Sequence, residues 1–146
     1  MKEISNVNEL EKAIQPCLID MVDNMAERVY ETLNFFLQQY YDSYTPSSYK
    51  RQYDFLRSAV KVNAKVVRNK VVAYVYINTD SMNNYRKISG EQVVTWANEG
   101  LHGGLDVGYN TPHVWDDTLD KMIGNGKLLD EAIDYLRKQG FEVRKI

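Results

Sequence analysis

Two histidines, His102 and His113, bracket a glycine-rich stretch with Asp106, Asp116 and Asp117 close by. Imidazole nitrogens and carboxylate oxygens of this kind can hold a divalent cation and activate a water. A small metal-dependent hydrolase or nuclease using His102, His113 and Asp116 is therefore one reading of the chain. The spacing argues against it. The histidines stand eleven residues apart across a loop, whereas catalytic ligands are held on rigid elements, often at i, i+4 on a helix. Solvated loop residues account for the same pattern. Asp116, Asp117 and Asp120 fall in the first turns of an expected helix, where the positive end of the macrodipole favours acids without any catalytic role. Gly100, Gly103, Gly104 and Gly108 lack the G-K-[ST] or G-x-G-x-x-G pattern of a phosphate cradle. The single cysteine, Cys17, cannot form an internal bridge. It follows Pro16 in an apolar helix start with no histidine beside it, and reads as a small buried residue rather than a nucleophile. The residues thus form no coherent catalytic set, and the expectation is no enzyme, no resident metal and no cofactor.

Binding chemistry is better represented. Tyr40, Tyr41, Tyr44, Tyr49, Tyr53 and Phe55 interleave with Lys50, Arg51 and Arg57. This is the composition of a surface that stacks bases and meets phosphates, and equally that of a packed helix-to-sheet junction. Subunit interfaces favour the same residue types. The contact residues expected on that ground are Tyr44, Tyr49, Arg51, Tyr53 and Phe55, with Tyr74 and Tyr76 from the following strands. From Ser47 to Lys70 seven bases face Asp54 alone, a balance of +6 within a chain of net charge −2. Lys61, Lys65, Arg68 and Lys70 are the candidates to face DNA, and a basic nucleic-acid-binding module is a third reading. A solvated strand face is the plainer one. Residues 1–46 carry eight acids against three bases, and residues 116–134 six against two.

These side chains need elements to position them. Leu18, Val22, Met25, Val29, Leu33, Phe36 and Tyr40 recur at steps of three and four and predict a dominant helix from Pro16 to Tyr41, roughly 39 Å long. Pro16 suits a first helical position. Asn8 to Gln15 would then form a short preceding helix capped by Asn6 or Asn8, or part of a kinked whole. Tyr44, Thr45 and Pro46 end it, and 42–48 is a loop.

Leu56 to Val67 and Val71 to Asn78, separated by Arg68-Asn69-Lys70, predict an antiparallel hairpin. Simple alternation would put Val60, Val62, Ala64 and Val66 on one face and Lys61, Asn63 and Lys65 on the other, wet or against an anionic surface. The second strand is apolar or amphipathic on both faces, which calls for helices on both sides or another subunit.

Ser89-Gly90-Glu91-Gln92 has capping-box spacing for a helix ending near Gly100. Leu101 to His113 is a loop. Thr111-Pro112 opens a helix through Trp115, Leu119, Met122 and Ile123 that closes at Gly124-Asn125-Gly126. A further helix presents Leu128, Leu129, Ala132, Ile133 and Leu136, and ends at Gly140. Phe141 and Val143 alternate with Glu142 and Arg144 as a last edge strand. The expected class is α+β: a long N-terminal helix packed on a small antiparallel sheet, short C-terminal helices and a final edge strand, in one domain over residues 1–146.

Composition bounds the rest. At 146 residues with 44% apolar and 26% charged positions, the chain can bury a core without disulfides. No run approaches the ~20 apolar residues of a membrane span. The start MKEISNVNELEK lacks the basic and apolar regions of a signal peptide, so synthesis in the cytosol is expected, with no membrane partner.

The segment from Tyr44 to Ser58 resembles a pattern of tail-completion and head-tail joining proteins, the neck proteins of long-tailed bacteriophages and prophages. There a long N-terminal helix leads through a Tyr/Pro loop and a stretch like Y-x-R-T-G-x-L-x-x-S into a hairpin. Tyr49, Arg51 and Ser58 match, and Gln52 and Tyr53 stand where Thr-Gly is usual. Trp96-Ala97-Asn98-Glu99-Gly100 is similar to the Y-A-x-x-x-E-x-G-T of the same proteins, with Leu101 in place of Thr. The resemblance implies an α+β virion component whose copies form a ring at the neck or tail top. Such a ring would contact head-tail connector and tail tube proteins and touch passing DNA without reading its sequence.

Overall fold

The structure, a computed structural model, describes residues 4–46, 53–82, 88–108 and 110–144. Tyr49 and Arg51 lie outside the described residues. The chain is α+β. Helix α1 (Val7–Asp42) is followed by strands β1 (Ala59–Val67) and β2 (Lys70–Ile77), then by helices α2 (Gly90–Asn98), α3 (Val114–Leu119) and α4 (Lys127–Lys138). A 3₁₀ turn at Thr79–Ser81 precedes α2, and a π-turn at Asp120–Gly124 joins α3 to α4.

Helix α1 is a single 36-residue element, about 54 Å long. A compact sphere of this many residues would be only roughly 38 Å across. Pro16 lies inside the helix rather than at its start. Proline removes one N–H from the ladder, on an exposed turn where water can satisfy the carbonyl left over. The true start is set by Asn6, whose side chain accepts from the Glu9 N–H at 3.0 Å, while Glu9 reaches back to the Ser5 N–H at 3.1 Å.

The core gathers at the other end of α1. Leu33, Leu37 and Tyr40 are buried with Phe55, Ala59, Met82, Ala97 and Val114, so the hairpin base, α2 and α3 all converge on the C-terminal turns. No described residue of α1 before Ala26 is buried.

Ser89 caps α2 by accepting from the Gln92 N–H. Gly90 follows because the chain passes so close to the 3₁₀ turn that an added Cβ would lie 3.0 Å from the Thr79 carbonyl carbon and closer still to its oxygen. Asn98, the last residue of α2, turns its side-chain oxygen on the N–H groups of Trp115 and Asp116 at 3.0 and 2.8 Å, capping α3 from outside.

Among the described residues the sheet has two strands. The expected final strand is not formed: Phe141 to Arg144 run irregularly, with the Phe141 N–H on the Leu136 carbonyl and the Arg137 guanidinium on the Val143 carbonyl. The helix end captures the segment before it can reach the hairpin.

Candidate functional site

Simple alternation fails in β1. The ladder pairs Val60 with Tyr76, Lys61 with Val75 and Val62 with Tyr74, then resumes with Lys65 opposite Val72, so a bulge lies between Val62 and Lys65. Lys65 therefore joins Val60 and Val62 on one face, and Lys61 lies on the other.

Lys61 points at α1, and its side chain is only 12% exposed. Its ammonium sits 3.2 Å from Asp23 and 3.0 Å from Glu27, one turn apart on the helix. Asp23 also accepts the N–H of Ala64, a bulge residue without a ladder partner, at 2.9 Å. That bond, with Lys61 beside it, holds the Asp23 carboxyl below the ordinary range. The Glu27 hydrogen bond, helped by Asp23, raises the Lys61 ammonium above its own. The anionic surface foreseen for this lysine is thus the chain's own helix, and Lys61 is not a DNA-facing residue.

Helix α1 covers the inner sheet face, where Val75 and Ile77 join the core cluster. The outer face carries Val60, Val62, Val72, Tyr74 and Tyr76, with Tyr74 51% and Tyr76 44% exposed. Among the described residues no helix lies over it. At the tip, Arg68 takes a left-handed backbone (φ 56°) and closes the turn with Asn69. Lys65, Arg68 and Lys70 pair with no carboxylate among the described residues, and Val66 and Val67 are exposed beside them.

The aromatic cluster divides. Phe55, a candidate contact residue, is 5% exposed and meets the Tyr40 ring edge-on at 5.6 Å, so it belongs to the core. Tyr44 leans on His102 at 5.1 Å. Tyr53 stacks on Tyr41 at 5.6 Å and stays partly open. Its φ of 63° is the backbone that favours glycine, at the position where the neck-protein pattern has Gly. Ser58 is buried, donating to the Phe55 carbonyl at 2.6 Å.

The histidines are built into the scaffold. His102 stacks on Tyr40 at 4.0 Å between ring centres, and its Nε2 lies 3.0 Å from the Ser43 hydroxyl. That hydroxyl gives its one proton to the Tyr40 carbonyl, so the imidazole is the donor in the contact with Ser43. His113 donates from Nδ1 to the Asn98 carbonyl at 2.9 Å, and Asp117 accepts the His113 backbone N–H at 2.9 Å. Among the described residues no group of three or more His, Cys, Asp or Glu is arranged to hold a metal ion. Nor is any helix long and apolar enough to cross a membrane.

Sequence reasoning missed the bulge and the buried end of Lys61. No glycine marks the bulge. The signal was the acidic pair Asp23 and Glu27 four residues apart on the helix.

The sequence model of one family, YomN, matches residues 6–138. It is a protein family derived from Bacillus phages and prophages. No curated protein and no solved structure matches the chain.

Proposed function

Because the chain belongs to the YomN family, we propose that it is a non-enzymatic structural component of a phage particle. In this reading it is a tail-completion or head-tail joining protein whose copies assemble as a ring at the neck or tail top. The ring leaves a passage for DNA and contacts the adjoining connector and tail tube proteins.

The observation that carries this reading is the open outer face of the hairpin. Val60, Val62, Val72, Tyr74 and Tyr76 form a continuous apolar surface on a two-stranded sheet. A sheet apolar on both faces requires cover on both, and α1 supplies only one. The phage derivation of the family and the resemblance of Tyr44 to Ser58 to neck proteins support a neighbouring copy in such a ring as the other cover. The ring nitrogens of His102 and His113 that bond Ser43 and Asn98 support a scaffold role rather than catalysis.

Light scattering across a wide concentration range, with negative-stain microscopy of the protein alone and mixed with neighbouring virion proteins, tests the proposal. Ring-shaped oligomers of defined mass are expected. Strictly monomeric behaviour under all these conditions would sink it.

A further inference from the structure

Resting on that ring reading, we propose that neighbouring copies join through two different surfaces: the basic hairpin of one copy seats on the acidic α3–α4 flank of the next. The hairpin from Ala59 to Ile77 holds four bases and no acid. Lys61 is neutralised within the molecule by Asp23 and Glu27. Lys65, Arg68 and Lys70 remain, set among the exposed Val66, Val67, Tyr74 and Tyr76.

The flank has the opposite character. Residues 116–134 hold six acids and two bases. Asp116, Asp120 and Asp134 are exposed there, Asp134 in a loose, solvent-exposed pair with Arg137 at 3.9 Å, and so are two large apolar side chains, Ile123 at 59% and Leu129 at 56%. Each surface thus combines uncovered apolar groups with an excess of charge of one sign.

Hairpin against hairpin, or flank against flank, would bring like charges together as the apolar groups desolvate. Hairpin against flank brings opposite charges together. Lys61 makes the same kind of contact inside the molecule, a hairpin lysine clasped by two helix carboxylates. The hairpin, α3 and α4 all pack on α1, so the two surfaces flank one rigid helix. A contact between unlike patches leaves one of each free on every pair and propagates until rotation closes it into a ring.

Charge reversal in sedimentation experiments tests this. Wild-type association should weaken at least roughly tenfold between about 0.05 M and about 0.5 M salt, as the Debye length shortens. Lys65→Glu with Lys70→Glu should abolish association, and Asp120→Lys with Asp134→Lys should do the same. Equimolar mixing of the two variants should restore it, because each intact surface meets its complement and the two reversed surfaces also match. Circular dichroism melting controls for folding, and Lys65→Gln with Lys70→Gln gives a neutral variant if the reversed hairpin misfolds.

A ring that ignores the flank reversal, or a mixture that stays monomeric, overturns the two-surface contact and leaves the ring reading standing. A wild type that remains monomeric at low salt, alone and with its virion neighbours, overturns both.

Discussion

Lys61 shows how far a residue's role depends on its surroundings. In the sequence it is one base in a run of seven. In the structure it and Asp23 fasten the middle of the hairpin to α1. Asp23 has a lowered pKa, so its contribution is complete above the ordinary carboxylate value and disappears as pH falls through the lowered one. Lys61 has a raised pKa, so its contribution persists below its ordinary value and is lost only as pH rises past the raised one. Asp23→Ala should therefore destabilise by about 1 kcal/mol at neutral pH, a value kept low by solvent screening. The difference from wild type should vanish in strong acid. Urea unfolding of both proteins from neutral pH downward checks it, and a gap independent of pH would mean that the carboxylate charge is irrelevant. Tyr53 is the other telling residue. Its left-handed backbone is the conformation glycine adopts most easily, and its ring stacks on Tyr41.

At the scale of elements, α1 has two halves with different physics. Its C-terminal turns are buried by three other elements, whereas its N-terminal turns owe their helicity to the Asn6 cap and local bonds. Amide exchange should be at least roughly a hundredfold slower around Leu33 to Tyr40 than around Leu10 to Gln15. Uniform protection along α1 would show that the N-terminal half is covered in solution. The short helix α3 is held by a neighbour. Asn98→Ala removes the acceptor for two α3 N–H groups, and should cost about 1 kcal/mol, measured by thermal melting. The Leu101 to His113 loop is anchored at its ends by the Tyr40 hydroxyl on the Leu101 carbonyl, at 2.6 Å, and by His113 on Asn98. Gly100 before it and Gly103, Gly104 and Gly108 within it, all at positive φ, shape that path.

For the whole molecule, the decisive feature is asymmetry: among the described residues, a helix covered on its flanks and at one end stands beside a hairpin covered on one face. Tyr74→Ser with Tyr76→Ser should leave the melting midpoint nearly unchanged, within about 0.5 kcal/mol, because both side chains are exposed in the single copy. Under the proposed function the same variant should fail to form rings in negative-stain images. A large drop in melting temperature would instead mark the tyrosines as part of the fold. The charge distribution belongs to this scale too, since the basic hairpin and the acidic α3–α4 flank acquire relative positions only when both pack on α1.

The sequence by itself determined the elements. The 3.6-residue period of α1, the alternating β-rich runs on either side of Arg68-Asn69, the Ser89 cap and the glycines ending α2 and α4 all act through neighbours a few residues away. Local spacing is enough to read them. Tertiary structure alone decided which face each side chain serves. One bulge residue, whose N–H found Asp23 forty-one positions earlier, changed the phase of β1 and placed Lys61 and Lys65 on opposite faces. The strand-like pattern of Phe141 to Arg144 lost to contacts with the end of α4. Both outcomes depend on groups distant in sequence competing for the same backbone hydrogen bonds, and no local periodicity records who wins.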